Sequence, residues 1–361
     1  MQRLRHNAHA AVRGFTLVEL LVTIAIIGVL MGLLIGGLRG AIGSARKTKE
    51  LNGLRGVHAA WYQYSTSYDE NLLPGFLDPQ TQADWQVKYS GMGGSELPAA
   101  LAQTYPWRLA RYMDNPRATF TEYLDGEASD RDLDGDGVPD PPGEEPTLPW
   151  GGAPDPPAWA VNAFGQRASL VSLQPAFAYN AFYVGGWYDA ASAPGPRFST
   201  APYTQASGTT QSGNLVATKL AGLTRTTETV LFASGTYRGP GHYRSGTNPE
   251  DLVPGSSWIV PPVLGETGVW GPSLGAEGRM EGIEGGSSGP MAQFWLPGAG
   301  VPDTGVLGVN VSQGVPIRRY TNLVSVVHPD GSTESLSIGA LMDMRLWIDI
   351  ADRSDFTHED D

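Results

Sequence analysis

The stretch RGFTLVELLVTIAIIG, from Arg13 to Gly28, is almost wholly apolar yet keeps one carboxylate, Glu19, five residues after Gly14. From Phe15 to Leu38 the chain runs for 24 residues with Glu19 as its one ionisable group. As a helix this run is about 36 Å long, enough to cross a hydrocarbon layer about 30 Å thick. A core helix of a soluble protein shows a polar face, and this run has none.

Three readings compete for it. A secretory signal has a shorter apolar core followed by its small-residue cleavage site. Here the apolar run is too long, and the natural scissile position, Gly14, precedes it. A plain membrane anchor has no use for Glu19, because a carboxylate deep in lipid costs about 2–3 kcal/mol or more. The third reading accounts for both oddities. Arg13-Gly14-Phe15-Thr16-Leu17-Val18-Glu19 resembles the cleavage and methylation site of type IV pilins and type II secretion pseudopilins. The resemblance implies that a prepilin peptidase cuts after Gly14 and that Phe15 becomes the N-methylated amino terminus. It also implies that Glu19 pairs with the amino terminus of a neighbouring copy during assembly. A charge in lipid is tolerable when an opposite charge meets it there.

Outward from this segment, the leader carries Arg3, Arg5 and Arg13 and is expected to stay cytoplasmic. Arg39, Arg46, Lys47 and Lys49 on the far side weaken a charge-count argument, so the motif decides the orientation. Gly28, Gly32, Gly36 and Gly40 recur every four residues, the spacing that lets membrane helices approach closely. Small residues are also simply frequent in such helices. Pilins commonly carry a proline about twenty residues into the mature chain. This chain has none before Pro74, and Gly36-Gly37 stands where that proline is expected. Glycine there is expected to loosen the helix in its place.

Further on, Leu51, Leu54, Val57 or His58, Trp61, Tyr64 and Tyr68 recur at spacings of three and four. That predicts an amphipathic continuation of the same helix, with His58 as a packing residue and Asn71 and Pro74 as its end. Beyond residue 71 the chain turns loop-rich. Glycine (47) and proline (28) make up about a fifth of the 361 residues, well above ordinary usage. Short β-prone runs stand at 229–232, 257–260, 293–296 and 305–309. The clearest hairpin is 322–327, then His328-Pro329-Asp330-Gly331, then 332–338, because proline presets φ and glycine accepts positive φ in a turn. A last helical piece is expected at Leu341 to Ile350.

Two stretches extend the resemblance. Residues 45–74 and 326–347 are similar to the post-membrane and carboxy-terminal elements of a pseudopilin-like group from planctomycete-type bacteria. The region 75–320 resembles no family. The fold class expected is α+β and pilin-like: a long N-terminal α-helix, membrane half plus amphipathic half, packed on an antiparallel β-sheet domain. The divisions are a cleaved basic leader at 1–14, a transmembrane assembly helix at 15–38, its amphipathic continuation at 39–70, and a periplasmic β domain at 71–361.

Within that domain, DRDLDGDGVPD (130–140) alternates carboxylates. Counted from Asp132, carboxylates fall at loop positions one, three, five and nine (Asp132, Asp134, Asp136, Asp140). Gly137 stands at six and the Val138 carbonyl at seven. Hard cations seek such oxygens, with glycine at the sharp turn, so the loop resembles calcium loops. Gly143 occupies position twelve, where an EF-hand has glutamate. Ten acids lie in the acidic loop 122–145 against Arg131 alone, and a bound structural Ca2+ would relieve their repulsion. The alternative is a solvated acidic loop.

Charge also limits the partners. Residues 1–55 hold eight Lys/Arg and two acids; the other 306 residues carry 16 basic and 35 acidic groups, a net of −19. Nucleic acid would repel that body. There is no cysteine, hence no disulfide, thiolate metal site or cysteine nucleophile. Gly285-Gly286-Ser287-Ser288-Gly289 has the letters of a nucleophile elbow but is glycine-rich on both sides and stops at Pro290. The six histidines show no metal-ligand spacing, and His242 and His328 beside turns are expected at the surface. The expectation is a non-enzymatic subunit of the inner membrane, single-pass, with its C-terminal domain periplasmic or extracellular in a filament. Its partners would be prepilin peptidase, an inner-membrane assembly platform, and other copies or related pseudopilins met through the N-terminal helix. The alternative is a surface-displayed carbohydrate- or protein-binding protein, or a hydrolase, using the same anchor.

Overall fold

The computed structural model describes residues 17–88, 101–113, 175–189, 195–237, 253–268 and 323–359, with short pieces at 99, 119, 172, 271–272, 294–295, 314 and 316. One helix, α1, runs from Leu17 to Ser67. The chain divides into two compact units, Met1–Arg46 and Lys47–Asp361, so α1 contributes to both.

In the first unit no proline interrupts α1, and the helix runs on through Gly36-Gly37, so the loosening expected there does not break it. In the second unit α1 is amphipathic. Leu54, Val57, Ala60, Trp61 and Tyr64 are buried, whereas Tyr62 is exposed. The expected face is therefore present, except that Tyr68 lies outside it and is exposed. Helical conformation stops at Ser67, three residues short of the expected boundary. Asp69 and Glu70 take left-handed φ values of 52° and 62°. The Ser65 carbonyl then accepts from the Glu70 amide (2.9 Å), and the Tyr68 carbonyl accepts from both the Asn71 backbone amide (2.9 Å) and its side-chain amide (2.7 Å). The capping amide of Asn71, not Pro74, closes the helix.

That half of α1 lies on a four-stranded antiparallel sheet. We label its strands β1 (Ala178–Tyr179), β2 (Phe232–Ala233), β3 (Val324–Val327) and β4 (Thr333–Leu336). The spatial order is β4-β3-β2-β1. The register pairs Tyr179 with Phe232, Phe232 with Val327, and Val327 with Thr333, which puts these four on one face. α1 meets this face: the Trp61 indole N–H donates to the Tyr179 hydroxyl (3.2 Å), which itself donates to the Leu73 carbonyl (3.0 Å). Burial pushes the Tyr179 hydroxyl well above the usual phenol range, because ionising it there would strand a charge in the core.

The β3–β4 hairpin is the expected one. The His328 amide donates to the Ser332 carbonyl (2.9 Å), Gly331 turns with φ 86°, and Asp330 Oδ1 accepts from the Ser332 amide (2.9 Å) and hydroxyl (2.6 Å). Other strand expectations changed. The 229–232 run yields only Phe232 to a strand. Residues 257–260 form no strand; a single bridge joins Trp258 to Tyr179. Phe294–Trp295 does pair, with Gly271–Pro272. The 305–309 run lies outside the described residues.

The C-terminal helical piece is split in two. Ile338–Leu341 is capped by the Ser337 hydroxyl, and Met344–Leu346 is a 3-10 turn capped by Asp343. Its buried side chains, Leu341, Met344, Trp347 and Ile348, join the core. The break lets the Leu346 carbonyl accept from the Val230 amide (2.6 Å) and the Trp347 carbonyl accept from the Asn180 side-chain amide (3.0 Å).

A second aromatic cluster fills the space where Phe76–Leu77 pairs in parallel with Trp187–Tyr188. Phe76 stacks on Trp187 at 4.1 Å and Phe182 stacks on Trp187 at 5.1 Å. Gly185 permits this closeness: its φ is +73°, and a Cβ there would lie 1.7 Å from the Leu73 carbonyl oxygen.

Candidate processing and assembly segment

In the described part of the first unit, α1 presents apolar side chains on every side. The large hydrophobics from Leu17 to Met31 are exposed, from 48% for Val22 to 78% for Leu17. Residues 17–31 cover more than four turns, so this exposure goes all the way round the helix. Glu19 sits exposed in the first turn, where a carboxylate is favoured by the positive end of the helix dipole. The Thr23 hydroxyl donates to the Leu20 carbonyl (2.7 Å), which hides its polarity against the backbone. A Cβ added at Gly28 or Gly32 would meet nothing within 4 Å, so the backbone is open to close approach on that stripe. Gly36 and Gly40 continue it on the same helix.

Gly14 and Phe15, the processing positions, lie outside the described residues. Among the described residues no helix is long and apolar enough to cross a membrane. The part of the apolar run with described side chains, 17–32, would span about 24 Å at about 1.5 Å per residue, short of the layer.

The proposed calcium ligands Asp132, Asp134, Asp136, Val138 and Asp140 also lie outside the described residues, as do His242 and the 285–289 run. Among the described residues no group of three or more His, Asp or Glu side chains comes together in a way that could hold a metal.

The polar groups that the body does bring together act as fasteners. His58 Nε2 donates to the Pro329 carbonyl (2.9 Å) and its ring covers Gly331, which ties α1 to the hairpin tip. His328 corrects the expectation of a surface histidine: it is buried, because its Nδ1 faces the Thr229 carbonyl and its Nε2 faces Glu334 Oε1, each at 2.9 Å. A position beside a turn does not expose this ring, which folds back under its own hairpin. Asp330, at the tip, feels burial that would raise its carboxyl. The two Ser332 hydrogen bonds and the nearby His328 and His58 outweigh this and hold it below the ordinary range. Asp349 is buried and accepts from the Thr224 amide (2.9 Å), the Thr224 hydroxyl (2.8 Å) and the Arg225 amide (2.7 Å). The Tyr183 hydroxyl donates to His358 Nε2 (2.9 Å).

A further carboxylate is held inside the body. Glu50 is buried, and its two carboxylate oxygens accept from the Ser234 hydroxyl (2.5 Å) and the Ser325 hydroxyl (2.7 Å). The signal was its spacing: Glu50, Leu54, Val57 and Trp61 follow one another at four, three and four residues, so a carboxylate stands in line with the apolar stripe.

Comparison with known protein families matches residues 10–35 to the prokaryotic N-terminal methylation motif. No curated protein and no solved structure matches the chain.

Proposed function

We propose that this chain, which carries a type IV pilin- and pseudopilin-like N-terminal motif, is a structural subunit of a pseudopilus or pilus-like filament. The observation that carries the reading is the motif itself, with Gly14, Phe15 and Glu19 falling inside the matched residues 10–35. The α+β arrangement, a long N-terminal helix followed by antiparallel sheet, is that of a pilin-like fold. In this reading prepilin peptidase cuts between Gly14 and Phe15, Phe15 is N-methylated, and the remaining apolar helix holds the subunit in the inner membrane. Assembly then places the Glu19 carboxylate against the Phe15 ammonium of the next copy. The all-round apolar surface of residues 17–31 supports it, since such a surface is stable only in lipid or against other helices. The likeness of the stretches 45–74 and 326–347 to elements of the pseudopilin-like group described above supports the same reading. A Ca2+ held by Asp132, Asp134, Asp136, Asp140 and the Val138 carbonyl would have a structural role, and the chain would do no catalysis of its own.

A second reading, a binding protein displayed on the same anchor, draws on exposed Trp85 and Tyr62, which are large aromatic faces open to a ligand. The test is intact-mass and amino-terminal peptide mass spectrometry on the protein from its native membrane. The expected mature chain begins at N-methylated Phe15, and Glu19→Ala abolishes cross-links between copies through residues 28–40. An uncleaved Met1, or a cut beyond residue 38, would overturn the filament reading.

A further inference from the structure

The buried carboxylate of Glu50 lies outside the processing motif and outside every other role described above. Its two hydroxyl donors sit side by side: the Ser234 amide donates to the Ser325 carbonyl (3.1 Å), so β3 and the residue after β2 present both serines to the same point on α1. Between Lys47 and Gly53, Glu50 is the one buried side chain; Lys47, Leu51 and Gly53 are half-buried and Thr48, Lys49 and Asn52 are exposed. Leu54 is the next buried residue, and from there the seat is apolar: Leu54, Val57, Ala60, Trp61 and Tyr64.

We infer that Glu50, Ser234 and Ser325 form a releasable clasp that sets how far along α1 the folded body grips its own helix. The two parts of the seat differ in kind. Apolar side chains stay buried because water excludes them, whatever their neighbours. A carboxylate stays buried only while donors replace its lost hydration, and without them it returns to water. The grip at Glu50 is therefore conditional, and the grip from Leu54 onward is not. Closed, the body holds α1 from Glu50. Open, it holds α1 from Leu54, and about 6 Å more of the helix is free, at about 1.5 Å per residue. Gly53 and Gly56 lie at the pivot, and a Cβ at Gly56 would meet nothing within 4 Å. Packing does not require glycine at Gly56, and glycine makes a helix easier to bend and fray. The clasp belongs to the folded body and stands whether or not the chain assembles into filaments.

The absence of cysteine makes the test direct. Leu51→Cys places a lone thiol on the half-buried side beside the clasp, and Val57→Cys places one under the apolar seat. Maleimide labelling rates are measured on the full chain in detergent micelles. In the Ser234→Ala/Ser325→Ala background the thiol at position 51 should react at least tenfold faster, with the rate at position 57 unchanged. Adding Glu50→Met should return the rate at 51 to its original value, because an apolar side chain needs no donors. An unchanged rate at 51 overturns the clasp. So does an equal rise at 57, which would make the serines part of the general fold, and so does failure of Glu50→Met to restore slow labelling.

Discussion

Trp61→Ala tests whether α1 is seated on the sheet as described. Trp61 is fully buried, its ring lies 5.8 Å from His58, and its indole N–H donates to Tyr179. Truncation leaves a cavity between helix and sheet and removes one buried hydrogen bond. The Tyr179 hydroxyl keeps its acceptor at Leu73, so no donor is orphaned. Burial losses of this kind cost about 3–5 kcal/mol, a large share of the roughly 5–15 kcal/mol that holds a domain together. With a urea slope of about 3 kcal/mol/M, the midpoint should fall by about 1 M or more. Its neighbour supplies the control: Tyr62, about 100° round the helix, is 51% exposed, and Tyr62→Ala should move the midpoint by less than about 0.2 M. The assay is urea unfolding of the full chain followed by circular dichroism. If the two variants behave alike, α1 is not seated through Trp61, and the packing argument fails with it.

Two more predictions follow from the core. Gly185→Ala should be among the most damaging single changes, costing more than about 3 kcal/mol, because a methyl group 1.7 Å from the Leu73 carbonyl forces the backbone apart at a left-handed φ; a thermal melt close to that of the unaltered protein would refute it. Burial pushes the Tyr188 hydroxyl up to about 12 from its ordinary 10. A folded-state pKa above the unfolded one gives stability that is complete below pH 10 and is lost as pH rises through about 12. Tyr188→Phe should flatten the fall in stability between those limits, and an unchanged pH profile in alkaline urea melts would show that the phenol is not desolvated.

The N-terminal segment was legible in the sequence because its information is local. A glycine, a phenylalanine, a glutamate and a long apolar run carry their meaning at fixed spacing, whatever the rest of the chain does. The β3–β4 hairpin was legible for the same reason: Pro329-Asp330-Gly331 sets its own dihedral angles, and the strands on either side are rich in β-formers. The buried face of α1 at Leu54, Val57, Trp61 and Tyr64 could be read from its helical period. These features follow from neighbours within a few residues.

What the sequence could not supply was the set of long-range partners. His328 borders a turn, which suggests the surface; Glu334 reaches its Nε2 from the same hairpin, but only the fold brings the Thr229 carbonyl, 99 residues away, to its Nδ1. The spacing of Glu50 puts it in line with the apolar stripe, but its partners are invisible there: only the fold brings Ser325 on β3 and Ser234 after β2 to its carboxylate. Asn180 had no visible task until it met the carbonyls of Val230 and Trp347. In each case a polar group is buried, and burial is tolerable only if a partner far along the chain arrives at hydrogen-bonding distance. Local spacing wrote the helix, the hairpin and the processing motif. Which polar side chains go inside was decided by tertiary contacts that span tens to hundreds of residues.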